Sequence, residues 1–215
     1  MTMIKILQIA DLHGQFGKLD SFLSLEPDLV VISGDITENG PVDVVPDLLD
    51  RIEVPVFVVP GNCDPRDILD VLEDSSAVCL HGSTMTLGKV TLTGIGGSNK
   101  TPFGTPFELT EEQIEGILNG LTSHLEKNVH NILVTHAPPE GTLDRVGEAH
   151  VGSPALRKFM KHFDLVCSAH IHDDRGEMEV DGVRIVNPGP ASEGHCAMIQ
   201  LGDEPRDITI KILSV

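Results

Sequence analysis

The sequence predicts an α/β protein in which two β-rich halves form a two-sheet sandwich with helices outside. Three observations carry this. Short, wholly apolar runs alternate with helical spacings through the first half, as buried parallel strands do. The middle breaks into short segments bounded by glycine, the pattern of hairpins or meanders. The C-terminal stretch reads as successive strands. No linker, repeat or low-complexity segment divides the chain, so residues 1–215 are read as one domain.

Taken in order, MIKILQIA is a strand ending at Ala10, and Phe16, Leu19, Phe22 and Leu23 then recur at helical spacing. DLVVIS is a second apolar run that stops at Gly34. Residues 43–53 read as a helix, VPVFVVP as a third strand ending before Gly61, and residues 67–73 as a short helix. AVCLHG, TMTLG and KVTLTGIGG follow, then a long Gly/Pro loop, GGSNKTPFGTPFELT. Thr110 is placed to cap the helix EEQIEGILNGLTSHLEK, with Gln113 completing a capping box. NILVTH is a strand and APPEGTLDRVGEAHVG a second long loop. Ser153 and Pro154 open another helix as N-cap and first-turn proline. DLVCSAH is a strand. EMEV, VRIVNPG, HCAMIQLG and ITIKILSV are expected as antiparallel strands.

Composition narrows the function. Hydrophobic residues make up 40% and charged residues 22%, an ordinary balance for a water-soluble fold. No apolar run is long enough to span a bilayer. The apolar N-terminal run leads straight into Asp11 with no small-residue cleavage site. It is expected to be a buried strand and not a signal peptide, with the cytoplasm as the default location. The net charge of −18, with no Trp or Tyr, makes duplex nucleic acid a poor partner and gives no membrane-binding signal. The four cysteines form no CxxC pair, which argues against a zinc knuckle or redox motif. Cys79, Cys167 and Cys196 are expected as small buried hydrophobes. The oligomeric state is left open, a homo-oligomer included. GIGG does not run into G-x-G-x-x-G before a helix, and neither GxxxxGK[ST] nor G-x-S-x-G occurs, which excludes a P-loop and a nucleophile elbow.

The chemistry gathers where the apolar strands end, the usual location of sites in α/β sheets. The first strand delivers Asp11 and His13, and the second delivers Asp35 after Gly34. The third delivers Asn62, Cys63 and Asp64 after Gly61. NILVT leads to His136, and DLVCSA to His170 and His172. Two divalent ions need several nitrogen and oxygen donors converging on one point. A carboxylate such as Asp35 can bridge both ions. Imidazoles suit Mn, Fe, Co, Ni or Zn. An amide oxygen such as that of Asn62 binds without adding charge and leaves the ion electrophilic. Ions about 3.5–4 Å apart can clamp a phosphoryl group for in-line displacement. Glycines 14, 34 and 61 permit sharp turns after each strand.

The blocks D-x-H, GD, GN-x-D, TH and H-x-H, in this order over residues 11–172, resemble the calcineurin-like metallophosphoesterase superfamily. TPFGTPFE and the NPGP at 187–190 are similar to the small Icc-related predicted phosphoesterases. The resemblance implies a four-layer α/β/β/α sandwich of two mixed sheets. It implies one metal held by Asp11, His13, Asp35 and His172. The second would be held by Asp35, Asn62, His136 and His170, with manganese first among the metals. It further implies hydrolysis of a phosphate ester, a phosphodiester by preference, through attack of a metal-bridging hydroxide. The substrate would be a small molecule or nucleotide. Asp64 is expected to orient a neighbouring group.

The pattern departs from the family in two places. His commonly follows the Asn, where it positions substrate and protonates the leaving oxygen; here Cys63 stands instead. Cations nearby would lower a thiol's pKa, and a thiolate has no proton to give. Either water or another residue then serves as acid, or the leaving group needs little help. Ala169 replaces the usual Gly before H-x-H, a small change. His150, before the helix opened by Ser153, is a candidate phosphate contact or replacement acid, set against a plain surface histidine. Lys100 and Arg145 on the long loops are candidates to meet substrate charge, set against solvated surface cations. His81, His124, His130, His162 and His195 are expected to be structural or exposed. Two alternatives stay open. One is a metal-binding interaction scaffold on the same fold, as in the retromer subunit branch. The other is a phosphomonoesterase or protein phosphatase, for which few candidate phosphate-binding arginines are present.

Overall fold

A computed structural model describes residues 3–123, 125 and 130–215. His124 and the end of the helix expected through Lys127 fall outside the described residues or at their edge. Along the chain run β1 (Ile4–Ile9), α1 (Leu19–Leu23), β2 (Leu29–Ser33), α2 (Val45–Leu49), β3 (Val56–Val59), α3 (Ile68–Glu73), β4 (Val78–Cys79), β5 (Ser83–Leu87) and β6 (Val90–Ile95). Then come β7 (Ser98–Asn99), β8 (Glu108–Leu109), α4 (Glu111–Thr122), β9 (His130–Thr135), β10 (Arg145–Val146), β11 (Ala149–His150), α5 (Pro154–Phe159) and β12 (Leu165–Cys167). The chain finishes with β13 (Gly176–Val180), β14 (Val183–Asn187), β15 (His195–Leu201) and β16 (Ile208–Ser214).

The strands make two six-stranded mixed sheets, ordered β16-β15-β1-β2-β3-β4 and β13-β14-β12-β9-β6-β5. Three apolar clusters show how they stack. Leu7, Ile9, Val30, Ile32 and Val58 face α1, α2 and α3 through Phe22, Leu48 and Ile68. Alternate residues of the same strands, Ile6, Val31, Phe57 and Val59, meet Ile132, Val134, Leu165 and Cys167 of the other sheet. Leu133, Val166 and Ile185 face α4 and α5 through Ile114, Leu118 and Leu156. Three apolar interfaces between four layers are what an α/β/β/α sandwich requires, and the period-two alternation of each strand supplies both faces of its sheet.

Both expected caps are present. Thr110 Oγ1 accepts from the Gln113 amide at 3.3 Å while Gln113 Oε1 accepts from the Thr110 amide at 2.8 Å. Ser153 Oγ accepts from the Leu156 amide at 3.1 Å.

Two expectations about the C-terminal strands change. β14 is antiparallel only to β13; its other neighbour, β12, runs parallel to it. The hairpin β15–β16 leaves that sheet and closes the first one, with β15 antiparallel to β1. The sheets are therefore not simply the two halves of the sequence. The middle segments also divide: β5 and β6 form a hairpin, whereas β4 joins the edge of the first sheet in parallel. That edge position leaves Cys79 only partly buried, unlike Cys167 and Cys196. Among the described residues, no helix is long and apolar enough to cross a membrane.

Candidate metal centre

β1, β2 and β3 run parallel in one sheet, and β9 and β12 run parallel in the other, so their carboxyl ends can converge. Polar bonds within and between the sheets mark where they do. His136 Nδ1 bonds the Ser33 carbonyl at 2.8 Å, and Gln8 Nε2 donates to Ser33 Oγ and to the Ser168 carbonyl. The loops after β1 and β2 lie side by side, the His13 amide donating to the Asp35 carbonyl at 2.9 Å and the Gly14 amide to that of Ile36 at 2.8 Å.

The backbone at this edge is unusual. Asp11, His13, Asp35 and His170 all adopt left-handed conformations, with φ of 53°, 46°, 49° and 73°. Such a conformation costs a non-glycine residue of order 1 kcal/mol and persists where the surroundings enforce it. Two glycines allow the loops to close. A Cβ on Gly61 would stand 2.1 Å from Asp35 Oδ1, and one on Gly34 would stand 2.6 Å from His136 Nδ1.

The side chains gather as follows. Asp35 Oδ1 accepts from the Cys63 amide at 2.8 Å, which leaves Oδ2 3.4 Å from His136 Nε2 and 3.9 Å from His13 Nε2. His172 Nε2 stands 3.5 Å from Asp11 Oδ1, and the His13 and His172 rings are 5.4 Å apart. Asn62 Oδ1 lies 2.9 Å from His136 Nε2, and the rings of His136 and His170 meet edge-on at 5.0 Å. The sets Asp11–His13–His172 and Asp11–Asp35–His136 each bring one ligand atom per residue within 4.8 Å of the others. All seven sequence-selected donors are thus in one cluster.

This cluster fits divalent cations on its own chemistry. Both Asp11 carboxylate oxygens are buried; Oδ1 meets only the His172 ring, at 3.5 Å, and Oδ2 accepts no hydrogen bond, a costly state unless a cation faces them. Burial would raise the Asp35 pKa, but the charge and hydrogen bond of His136, the Cys63 amide and His13 together hold it well below the usual carboxylate range. Conversely, Asp35 overcomes the burial of His136 and pushes it up to about 9. Burial and then the charge of His136 push His170 down to about 4, leaving a neutral imidazole.

Asp64 is fully buried and accepts from the amides of Ile36, Thr37 and Gly61 and from the Thr37 hydroxyl, tying the loop after β2 to the loop after β3. Cys63 is half-buried, and burial, Asp35, Glu38 and Asp64 push its thiol up. Among the chain's own groups it is acids that act this way, whereas bound cations would pull the thiol in the opposite direction. His150 is half-exposed on β11, where Asp144 Oδ1 accepts from its Nδ1 at 2.6 Å. Asp144 is fully buried and also accepts from the Gly141 and Gly152 amides. Lys100 Nζ is exposed, 3.7 Å from Glu108 Oε2, and Arg145 is exposed.

The remaining histidines lie elsewhere. His81 accepts from the Gly96 amide, His130 bonds the Gly202 carbonyl, His162 packs on Phe159 and His195 pairs with Arg175 and Ser214.

Three residues near the centre escape the sequence reading. Glu38 Oε2 is 2.5 Å from His13 Nδ1; its only signal is its place in the loop after β2. Thr105 Oγ1 accepts from Asn62 Nδ2 at 3.1 Å and donates to Glu108 Oε1 at 2.9 Å. Thr105 and Glu108 lie in and beside the Gly/Pro loop, which has no period to read.

A model of the calcineurin-like phosphoesterases matches residues 4–174. The chain belongs to the calcineurin-like phosphoesterase family. An uncharacterized protein of Methanocaldococcus jannaschii is 36% identical over 202 residues, covering 88% of this chain and 89% of its own. Among solved structures, a protein of Thermus thermophilus aligns with a TM-score of 0.71 at 19% identity, covering 98% of this chain and 99% of its own. A dimetal phosphatase from Danio rerio aligns with a TM-score of 0.65 at 13% identity, covering 98% of each chain. At those identities the two structures speak for the fold. Membership of the family makes phosphoric ester hydrolysis with metal the chemistry against which the cluster is read.

Proposed function

We propose that this phosphoesterase is a two-metal phosphodiesterase acting on a small diester or nucleotide, with manganese as the preferred ion. The observation that supports it most is the meeting of seven donors from five strand ends around Asp35. Asp11, His13, Asp35 and His172 would hold one ion; Asp35, Asn62, His136 and His170 would hold the other. Bound divalent ions would supply there the positive charge that a phosphoryl group and its attacking water need. The chain does the rest. The Cys63 amide fixes one Asp35 oxygen and leaves the other facing His136 and His13. The Ser33 carbonyl holds His136 by Nδ1 and presents Nε2 to the centre. Asp64 keeps the loops after β2 and β3 in register. His150, oriented by Asp144, is the proposed proton donor or phosphate contact in place of the family's histidine.

The test is turnover of bis(para-nitrophenyl) phosphate against para-nitrophenyl phosphate by the Mn-loaded protein, with the diester expected to be faster. No turnover with Mn, Fe, Co, Ni or Zn would overturn the enzymatic reading and favour a scaffold. Cys63→His is expected to raise turnover on esters with poor leaving groups; equal loss on all substrates would count against the role given to this position.

A further inference from the structure

A cleft of about 380 Å³ reaches the cluster at His170. His170 and Ile171 line it together with residues of the two long loops, Lys100 and Phe103 from one, Val146 and Val151 from the other. These walls are apolar and exposed: Phe103 is 83% exposed, Val146 56% and Val151 39%. They are three of the seven large apolar side chains exposed among the described residues, on a chain of net charge −18. An apolar cluster of this kind at the mouth of a polar centre marks a binding surface.

The walls are also fixed in place. Asn99 Nδ2 donates to the Val151 carbonyl at 3.1 Å and joins the two loops. Glu108, itself buried, accepts from the Thr101 hydroxyl at 2.6 Å, and the Phe103 amide donates back to that hydroxyl at 3.2 Å. Asp144 holds the other loop through Gly141 and Gly152. A preformed cleft loses little ordering entropy when it is filled.

The geometry points to this cleft as the subsite for the organic group of the substrate, and to an apolar group of ring size as its occupant. This rests on the phosphoesterase reading, which puts the phosphoryl group beside His170. From there, the ester substituent meets Phe103, Val146 and Val151. Apart from Lys100, Thr101 and His170, the lining side chains offer no partner to the hydroxyls of a sugar phosphate, and burying such hydroxyls unpaired is costly, which favours the small diester over the nucleotide. A ring, in contrast, gains from contact with the apolar walls.

The test compares binding of phenylphosphonate and methylphosphonate to the Mn-loaded protein and to its Phe103→Ala and Val146→Ser variants, by calorimetry. Both positions are exposed, and thermal unfolding checks that the variants fold. Phenylphosphonate is expected to bind about 10-fold tighter, the size of effect that burying one ring face gives. Each variant is expected to erode that preference and leave methylphosphonate unchanged. Equal affinities, equal losses on both ligands, or no binding of either at millimolar concentration would overturn the proposal. Turnover is scored separately. A phenyl preference that depends on Phe103 supports the subsite even in a protein that hydrolyses nothing, whereas its absence in an active enzyme removes the subsite and leaves the phosphoesterase.

Discussion

The centre and its mouth are built on opposite principles. At the centre, donors come from the ends of buried strands, the backbone is forced into left-handed turns, and glycines let loops approach closer than any Cβ allows. At the mouth, exposed apolar side chains ride on two long loops, each held by one buried carboxylate, Glu108 or Asp144. Strain concentrated at the centre sets geometry that metals need to a fraction of an ångström. Hydrogen bonds at the mouth set a surface that tolerates change. Substitutions at the centre are therefore expected to cost fold and metal together, and those at the mouth to cost selectivity or local order alone.

The largest effect is expected at Gly61. Gly61→Ala puts a methyl group onto Asp35 Oδ1 and Asp35 N, both within 2.2 Å of the new atom, so the loops must part. Urea unfolding is expected to show a loss of about 1–3 kcal/mol, the usual cost of overpacking, together with weakened metal binding. A variant of wild-type stability and metal content would break the contrast at its strained end.

Thr105 links the two regions, since its hydroxyl joins Asn62 to Glu108. Thr105→Val keeps the shape and removes the link. Metal affinity is expected to fall about 10-fold, the lower range for groups that orient a ligand. Thr105→Ser is expected to restore it. Loss in both variants alike would mean that the side chain serves packing and not orientation.

The smallest effect is electrostatic. Burial would raise the Glu108 pKa, but the hydroxyls and amides of Thr101 and Thr105 outweigh it and hold the carboxyl below its ordinary value of 4.5. A group lowered on folding stabilises above its unfolded pKa and loses that contribution as pH falls through the folded one. Glu108→Gln is expected to lower the melting temperature by a few degrees at about pH 6, and the gap to close as pH drops below about 4.5. A gap that widens in acid would reverse the sign and contradict the hydrogen-bonding account.

The same contrast explains what can be read from the chain. Asp11, Asp35, Asn62, His136 and His170 are readable because each ends or closely follows an apolar run whose strand character is plain. The caps at Thr110 and Ser153 are readable because a cap is local chemistry. The parallel pairing of β14 with β12 is not, since an alternating strand carries no mark of its neighbour's direction. The return of β15 to β1 is not, because it pairs residues from opposite ends of the chain. Phe103, Val146 and Val151 look like loop residues in sequence, and only the fold brings them to one cleft.

On the proposed function, one cluster would hold two ions with Asp35 between them. Metal analysis of dialysed protein tests it most directly. Two divalent ions per chain are expected in the wild type, one in His172→Ala, one in His136→Ala, and a loss at both sites in Asp35→Ala. A single ion in the wild type, or an Asp35→Ala variant that keeps both, would contradict it.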